Sequence, residues 1–356
     1  MPTFQADKLK STISGIVRLT GSTAEEADIV ADHLVMANLS GHDSHGVGMI
    51  PKYIDCFHRG LVVPNTAVSC VNDAGAILQY DAKKGFGQRV AKEATAGAIA
   101  RAKETGVALY TLANAFHIGR VGSYGEQAIA EGMVSIHFVN VSDHRPSVAP
   151  FGGGEARFIT NPVCIAVPGA GKQDPIVLDM ATSKLALGKV RVAYNKRVQM
   201  EEGNLLDPDG VPTTDPGVMF PELRGALLPF GEHKGSGLAL MCELLGGMMS
   251  GGQTIQPARE RMDGIINNML GIVFDPNKLI SSDTFSRELQ ATIDYVKSAT
   301  PQDPAKPVLV AGDPERAARV KRGQEGIPLD DNTWTGILEA GESLGQKRED
   351  TERQVA

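Results

Sequence analysis

This chain of 356 residues lacks several features that would assign it to a particular class of protein. Its four cysteines include no Cys-x-x-Cys pair and no spacing typical of metal ligands, so we expect buried thiols of a reducing compartment. The sequence contains no run of about 18 apolar residues, which argues against a membrane-spanning helix. Its first residues also lack the apolar segment of a signal peptide. We therefore expect a cytoplasmic protein with no membrane partner.

An excess of basic charge and the usual dinucleotide-binding motif are also missing. A net charge of −7 argues against bulk binding of nucleic acid, although a local basic site could still bind an anionic substrate. The sequence contains no Gly-x-Gly-x-x-Gly, which weighs against an ordinary Rossmann fold. With 42% hydrophobic and 22% charged residues, the composition is that of a globular protein. A chain of this length favours two lobes over a single core.

Apolar residues recur with helical and strand-like spacings in alternation along the chain. Ser22 to Glu25 matches a capping box and predicts the start of a helix that ends at Gly41. The last dozen residues are charged and are expected to form a frayed tail. Helices are predicted over 5–20, 22–41, 87–104, 123–131, 235–249, 280–298, 314–322 and 331–345, and strands over 107–112, 134–140, 163–167, 176–180 and 270–274. This order predicts an α/β protein in which helical terminal segments flank a mixed or parallel sheet covered by helices.

The densest group of titratable side chains lies in residues 40–53, SGHDSHGVGMIPKY, directly after a predicted helix. His42 and His45 have the i, i+3 spacing of metal ligands, but no further His or Cys cluster completes a site, and we expect no metal. The functional alternative is that His45 is a general acid whose tautomer is set by Ser44 or by an acidic residue. The other interpretation is that His45 has only a structural role. A second histidine in a glycine-flanked loop, His117, brings the two interpretations to equal weight.

Glycine clusters at 117–125, 150–154 and 231–237 could let backbone amides approach a phosphate. Arg120 or Lys234 would then add positive charge. Taken singly, such clusters mark plain turns more often than ligand loops. Asp179 follows an apolar run, and so is expected at the end of a strand, where ligands gather in α/β proteins. Its alternative role is a helix N-cap.

Seven motifs follow one another in a fixed order along the chain. They are SHG at 44–46, NAFHIGRVG at 114–122, APFGG at 149–153, TNP at 160–162, LDMATS at 178–183, EHKGSGLAL at 232–240 and AGDPE at 311–315. Together they resemble the type-2 malate/L-lactate dehydrogenase family over roughly residues 10–340. Within it, GHDSHGVGMIPKY, HIGRVG and GIPLD at 326–330 are most similar to the hydroxycarboxylate dehydrogenase B branch.

The resemblance implies a non-Rossmann, sulfolactate/malate dehydrogenase-like fold and a homodimer with its cofactor near the subunit interface. It divides the chain into an N-terminal helical part of a substrate lobe (1–66), a central α/β lobe that carries the cofactor (67–295) and a C-terminal helical segment that returns to the substrate lobe (296–356). The implied cofactor is NAD or NADP. The residues assigned to it are His45, Gly119, Arg120, Val121, Asp179, Met180, Ala181, Thr182, His233, Lys234, Asn267, Ala311, Gly312, Asp313 and Pro314.

The resemblance also implies hydride transfer between a 2-hydroxycarboxylate and its 2-oxo acid, with a histidine exchanging the proton. We expect His45 to do so with Ser44 and Asp179 as a supporting relay, and His117 remains a near-equal candidate. An alternative on the same fold is a reductase of cyclic imino acids. A catalytically silent binding subunit is an alternative of another class, against which the intact histidines and Lys234 argue.

The substrate side of the pattern departs from the family. Where most relatives carry an arginine for the substrate carboxylate, this chain has Met49, which cannot form a charge-assisted hydrogen bond. We hypothesise that Arg120 supplies the missing cation, for the substrate carboxylate or the cofactor pyrophosphate. Met49 would favour a bulkier, more hydrophobic 2-oxo acid. The residues expected to contact substrate are Met49, Tyr53 and Arg120.

Overall fold

A computed structural model of the protein describes residues 2–220, 222, 224–258 and 260–355. Helices and strands alternate through the middle of the chain, and helices dominate both ends. The helices are α1 (Ala6–Arg18), α2 (Ala24–Leu39), α3 (Ile50–His58), α4 (Gly87–Thr105), α5 (Gly122–Ala130), α6 (Leu187–Lys196), α7 (His233–Met241), α8 (Ser282–Lys297), α9 (Asp313–Glu325), α10 (Asp331–Ser343) and α11 (Arg348–Val355). The strands are β1 (Thr3–Phe4), β2 (Ser69–Ala74), β3 (Ile77–Asp81), β4 (Val107–Phe116), β5 (Val134–Ser142), β6 (Val163–Val167), β7 (Ile176–Met180), β8 (Leu205–Leu206), β9 (Pro212–Thr213), β10 (Ala226–Leu227), β11 (Ile266–Phe274) and β12 (Ile327–Pro328).

A seven-stranded mixed sheet forms the centre of the molecule, in the order β2-β3-β4-β11-β5-β6-β7. Strands β3 and β4 run parallel because α4 carries the chain back between them, and the other neighbouring pairs are antiparallel. The predicted α/β class, with a mixed sheet covered by helices, is confirmed. A wholly parallel sheet, the other form considered, is wrong.

Helices cover both faces of this sheet, as alternate residues of β5 demonstrate. Val139 packs into the apolar core that α4 and α5 complete. The next residue, Asn140, points the other way and donates a hydrogen bond to Glu243, which lies in a π-helical turn that continues α7 over Cys242–Met248. Both sides of β5 are therefore covered, and its polar residues Ser135, His137 and Asn140 are buried together with its apolar ones.

A second core lies where the two ends of the chain meet. Helices α1, α2, α3 and α10 bury apolar residues such as Leu9, Leu34 and Ile337 against one another. The short strands β1 and β12 pair beside them. The expected frayed tail is wrong, because α11 packs on α1 and α10 and buries Thr351. Its charged residues lie on the solvent side of that helix, which is why the sequence resembles a tail. The division of the chain into lobes stays a prediction.

Several local predictions are confirmed and others need correction. Strands 163–167 and 176–180 have the predicted bounds. The capping prediction is displaced by one residue, because Thr23 and not Ser22 accepts the hydrogen bond from the amide of Glu26. Cys70 is exposed, whereas the other three cysteines are buried, and all four are free thiols. Among the described residues, no helix is both long and apolar enough to cross a membrane.

Candidate active site

The loop between α2 and α3 holds His45 in a fixed position. After Gly41, which has a φ of +82° that favours glycine, the chain makes a short 3₁₀ turn over Asp43–His45. Asn38 clamps this turn, because its amide oxygen accepts from the Val47 amide at 2.8 Å while its amide nitrogen donates to Asp43. The density of polar residues after α2 therefore serves first to fix the backbone on both sides of His45.

The end of β4 fixes His117 in a similar way. His117 follows the last residue of the strand, and the next amide, that of Ile118, donates to Asn267 Oδ1 on the neighbouring β11 at 2.9 Å. Gly119 then turns with a φ of +73°, and a Cβ there would overlap the ring of His33. Asn267, which the sequence resemblance assigned to the cofactor, thus pins the turn that carries His117.

The structure brings the two candidate histidines together although they are 72 residues apart. His45 Nδ1 lies 3.3 Å from His117 Nε2, and the rings are nearly parallel, with centroids 5.4 Å apart. Behind them, the Tyr53 hydroxyl lies 2.7 Å from His117 Nδ1 and accepts from Gln88 Nε2 at 2.6 Å. These four side chains form one chain of hydrogen bonds, which we call the histidine chain.

The expectation that Tyr53 contacts substrate needs correction. Tyr53 is completely buried, because α3 turns it toward β4, where its ring packs edge-on against Phe116. Its hydroxyl is occupied by Gln88 and His117. Met49, also expected to contact substrate, is half-buried against the core of the terminal helices.

Burial favours the neutral forms throughout the histidine chain. His45 keeps part of its surface open to solvent, yet burial lowers its pKa to about 4, helped by the positive charges of His42 and Arg120. Burial lowers the pKa of His117 well below its usual value, and raises that of Tyr53. At neutral pH, each imidazole of the site carries a single proton and can donate only one hydrogen bond.

A buried ion cluster lies beside the histidine chain, at the ends of β7 and the turn before α5. Arg120 is 1% exposed, and its guanidinium lies 3.0 Å from a Glu126 oxygen and 3.4 Å from Asp179 Oδ2. Asp179 also accepts from the Gly122 amide at 2.8 Å. Burial raises the pKa of Asp179, and the charge of Arg120 opposes this rise. We call these residues the Arg120 cluster.

The geometry of this cluster corrects two expectations. Asp179 bonds to Arg120 and to Gly122 rather than to His45, and among the described residues no hydrogen bond joins Ser44 to His45. The expected relay through Ser44 and Asp179 is therefore not what the fold assembles. Arg120 is also not a free cation for a substrate carboxylate, because buried Asp179 and half-buried Glu126 already neutralise it. The cofactor alternative for Arg120 stays a prediction.

The segments that the resemblance assigned to a cofactor lie next to one another. The turn that carries Arg120 meets β7 at Asp179, and β7 meets the 311–314 turn where the Val177 amide donates to the Ala311 carbonyl. The carbonyl of Thr182, further along, accepts from the Phe230 amide, just before α7. Met180 and Ala181 are half-buried between these contacts, and Val121 is buried in the sheet core. His233 and Lys234 lie exposed in the first turn of α7, and Asp313 and Pro314 begin α9.

A cavity of about 270 Å³ opens between the Arg120 cluster and the start of α9. Gly312 lies on its wall with a φ of +94°, and the positive end of the 13-residue α9 follows it. Three arginines line the cavity, together with Glu126 and Glu315. Guanidinium groups at a helix N-terminus are suitable donors for a phosphate, and here each of them is paired with a carboxylate: Arg120 and Arg319 with Glu126, and Arg316 with Asp313. A dinucleotide phosphate that binds here would replace such a partner. Besides Arg120, the lining arginines are Arg316 and Arg319.

Several site residues were missed from the sequence, among them Glu126, Arg316 and Arg319 at the cavity and the two amides Gln88 and Asn38. Gln88 stands in an alanine-rich helix with no motif around it, and Asn38 lies inside α2. Gln88 gains its partner Tyr53 only when α4 packs onto the site, whereas Asn38 bonds to Asp43 and Val47 in the turn that follows it. Among the described residues, no group of three or more metal-binding side chains is present.

Comparisons with known proteins identify the family and the fold. A family model described as "Malate/L-lactate dehydrogenase" matches residues 4–338. The chain is 45% identical to hydroxycarboxylate dehydrogenase B of Escherichia coli O157:H7, covering 97% of this chain and 95% of that protein. Its structure is similar to sulfolactate dehydrogenase from Methanocaldococcus jannaschii, with a TM-score of 0.86, 33% identity, and coverage of 98% and 99% of the two chains. It is also similar to Δ1-piperideine-2-carboxylate reductase from Pseudomonas syringae pvar. tomato, with a TM-score of 0.83, 28% identity, and coverage of 96% and 100%.

Proposed function

Because the chain belongs to the malate/L-lactate dehydrogenase family and is an enzyme of the hydroxycarboxylate dehydrogenase type, we propose that it interconverts a 2-hydroxycarboxylate and its 2-oxo acid with NAD or NADP. The observation that carries this proposal is the contact between His45 and His117 at 3.3 Å, beside the segments assigned to the cofactor. Oxidation of a hydroxyl or reduction of a carbonyl needs a group that exchanges one proton near neutral pH, and histidine is suited to that role.

His45, and not His117, is the group that exchanges this proton. Both ring nitrogens of His117 are engaged, one by Tyr53 and one by His45, and its side chain is 6% exposed. His45 uses only Nδ1 in the histidine chain and keeps partial exposure, and among the described residues its Nε2 has no hydrogen-bond partner. A substrate oxygen can therefore approach His45 Nε2 without displacing a protein group.

The substrate itself would bring His45 into the protonated form. The free site keeps His45 neutral, with its pKa lowered to about 4 by burial. A bound 2-oxo acid carries a carboxylate, and a negative charge within about 4–6 Å raises the pKa of an imidazole. His45 then donates its proton to the oxygen as the carbonyl is reduced. In the opposite direction, neutral His45 accepts that proton from the hydroxyl.

The nicotinamide cofactor would supply or accept the hydride when bound. We propose that half-buried Arg316 and Arg319 and the start of α9 would hold its phosphates, while exposed Lys234 would add a further charge from the start of α7. Gly119 and Gly312 have positive φ values at which a residue with a side chain would be strained. As glycines, they also leave the backbone open to the cofactor. The side chains of the Arg120 cluster hold β7 and the turn before α5 together while the cofactor binds and leaves.

The test is a panel of 2-oxo acids with NADH and with NADPH, followed by the absorbance of the reduced cofactor. The proposal expects oxidation of at least one cofactor with an oxo acid alone. The likeness to Δ1-piperideine-2-carboxylate reductase favours a second candidate, the reduction of cyclic imino acids. That reaction on an oxo acid would require added amine, so each oxo acid is assayed with and without one.

We also propose that the enzyme is a cytoplasmic homodimer whose cofactor lies near the subunit interface. Support comes from the family resemblance and from the exposed methionines around the end of α7. Light scattering of the purified protein is expected to give twice the mass of the chain. A monomer at all concentrations would contradict this part of the proposal.

A further inference from the structure

We propose that Arg322 and Asp43 are positioning residues for the reaction, because their ion pair holds the turn that carries His45 against α9. The proposal deepens the proposed function and rests on it for the role of His45. Arg322 lies in the last turn of α9, and Asp43 begins the 3₁₀ turn that ends at His45. The two residues are brought together from parts of the chain that are 279 residues apart.

One face of α9 bonds to the loop between α2 and α3. Glu315, Arg319 and Arg322 follow one another at intervals of four and three residues, so they lie on the same side of the helix. Glu315 Oε1 lies 3.0 Å from His42 Nε2, and Arg319 Nε donates to Ser40 Oγ at 2.8 Å. This face of α9 therefore holds the loop at several points, and Arg322 provides the contact closest in sequence to His45.

Arg322 makes the most directional of these contacts. Its two terminal nitrogens donate to the two oxygens of Asp43 at 2.6 and 2.9 Å, and one of them also donates to the carbonyl of Asn38. Two parallel hydrogen bonds between a guanidinium and a carboxylate fix both the distance and the orientation of the pair. Because Asn38 belongs to α2, Arg322 joins the end of that helix to the turn that follows it.

The turn transmits this restraint to His45. The Gly46 amide donates to the Asp43 carbonyl at 3.1 Å, so Asp43 and His45 belong to one hydrogen-bonded turn. A displacement of this turn by about 1 Å would break the 3.3 Å contact between His45 Nδ1 and His117 Nε2. Misplacement of a reacting group on this scale lowers a rate by up to about 10²-fold.

The ion pair contributes to geometry more than to folding. The side chain of Asp43 is 52% exposed, so water can solvate its carboxylate when Arg322 is removed. Ion pairs with this exposure contribute little to stability. We therefore expect loss of the pair to leave the protein folded and to change the position of His45.

The same helix connects the loop with the proposed cofactor site. The start of α9 lines the cavity, and Arg319 donates to Glu126 in the cavity as well as to Ser40 in the loop. Arg322 lies one turn further along α9. A variant at Arg322 can therefore separate the positioning of His45 from the binding of the cofactor phosphates.

The first test is the pKa of His45 in the free protein, followed by NMR of histidine-labelled protein between pH 7.5 and 5. Its signal is assigned by its loss in His45→Gln. Burial lowers the pKa of wild-type His45 to about 4, so the ring is expected to stay neutral over most of this range. The double variant Arg322→Gln with Asp43→Ala removes the pair without changing the net charge. A less buried His45 is then expected to titrate about 1 unit or more higher, toward 6.5.

Lys321→Gln is the matched control, because it removes a positive charge from the same helix. Lys321 is 70% exposed and pairs with Glu325, so the pKa of His45 and the turnover should not change. An unchanged or lowered pKa of His45 in the double variant would overturn the proposal. If the double variant does not fold, Arg322→Lys takes its place. It keeps the charge but not the two parallel bonds, and a smaller rise is expected.

Kinetics provide the second test. Arg322→Gln, Asp43→Ala and the double variant are each expected to lose about 10- to 100-fold in kcat, while KM for the cofactor stays within about twofold of wild type. Because one ion pair is lost in all three, the double variant should lose no more than the more affected single variant. Unchanged kcat, or losses that multiply in the double variant, would contradict the positioning role.

The two tests separate this proposal from the proposed function. If the wild-type protein reduces no 2-oxo acid with either cofactor, the proposed function fails. The titration of His45 in the free protein still decides whether the ion pair holds its turn. If the wild-type protein is active and the pKa and kcat of the double variant equal those of the wild type, the positioning role alone fails.

Discussion

Arg120→Met is expected to destabilise the protein mainly through Asp179. Arg120 is 1% exposed and lies 3.4 Å from Asp179 Oδ2, so the variant leaves a buried carboxylate without its counter-charge. Glu126 is compensated because it also pairs with Arg319, whereas Asp179 keeps only the hydrogen bond from the Gly122 amide. Removing one partner of a buried ion pair costs about 3–5 kcal/mol, and the remaining hydrogen bond favours the lower end of that range.

The pH dependence identifies the carboxylate that causes this loss. Burial already raises the folded-state pKa of Asp179 above its ordinary value of 3.8, and Arg120 opposes the rise. Without Arg120 the pKa rises further, so the folded variant takes up a proton at a higher pH than the unfolded chain does. Its loss of stability is therefore largest above the raised pKa and shrinks as the pH falls toward 3.8.

The assay is urea unfolding of four proteins between pH 5 and 7.5: wild type, Arg120→Met, Arg120→Met with Asp179→Asn, and Arg287→Met. The double variant is expected to recover about 2 kcal/mol at pH 7, because the amide no longer buries a charge. Arg287 is 66% exposed, and its variant should stay within about 0.5 kcal/mol of wild type. An Arg120→Met loss that does not change with pH, or that Asp179→Asn does not relieve, would refute the reasoning.

Two further predictions test how the fold positions the site. Gly87→Ala is expected to lower the free energy of unfolding by about 1–3 kcal/mol and to lower turnover, because a Cβ there would overlap the carbonyls of Phe116 and His117. Gly323→Ala, with open space around it, should raise the free energy of unfolding by up to about 1 kcal/mol. Equal stabilities of these two variants in urea would contradict the packing. Burial lowers the pKa of His137 to about 4, so the unfolded chain takes up its proton first, and the folded protein loses stability as the pH falls below 6.5. His137→Leu should reduce the wild-type loss between pH 6.5 and 5 by about 2 kcal/mol, and identical pH dependences of the two proteins would contradict this.

The fold could be predicted well wherever local periodicity decides the structure. The bounds of β6 and β7 and the end of α4 at Gly106 follow from apolar runs and a glycine with a φ of +88°. The last helix, α11, could not be predicted in this way. Its charged sequence becomes helical because α1 and α10 provide a surface on which Thr351 packs. Tertiary packing decides whether such a short segment becomes a helix, and the sequence of the segment alone does not indicate that packing.

The candidate site, like the fold, could be predicted only in part from the sequence. His45 and His117 could be found from their glycine-rich motifs, and the structure brings them to 3.3 Å. The partners of these residues could not be found, because they come from distant elements. Tyr53 was expected to contact substrate, but β4 covers it, and Asp179 was expected to support His45, but it pairs with Arg120. Motifs indicate which residues matter here, and packing decides what each of them contacts.

The most direct test of the central claim compares wild-type protein with His45→Gln in the reduction of the best 2-oxo acid by NADH or NADPH. The account predicts that the wild-type protein oxidises the reduced cofactor without added amine. His45→Gln should fold, keep its KM for the cofactor within a small factor, and lose about 10²- to 10⁴-fold in kcat. Turnover by His45→Gln equal to that of the wild type, or cofactor oxidation that appears only with amine, would contradict the claim.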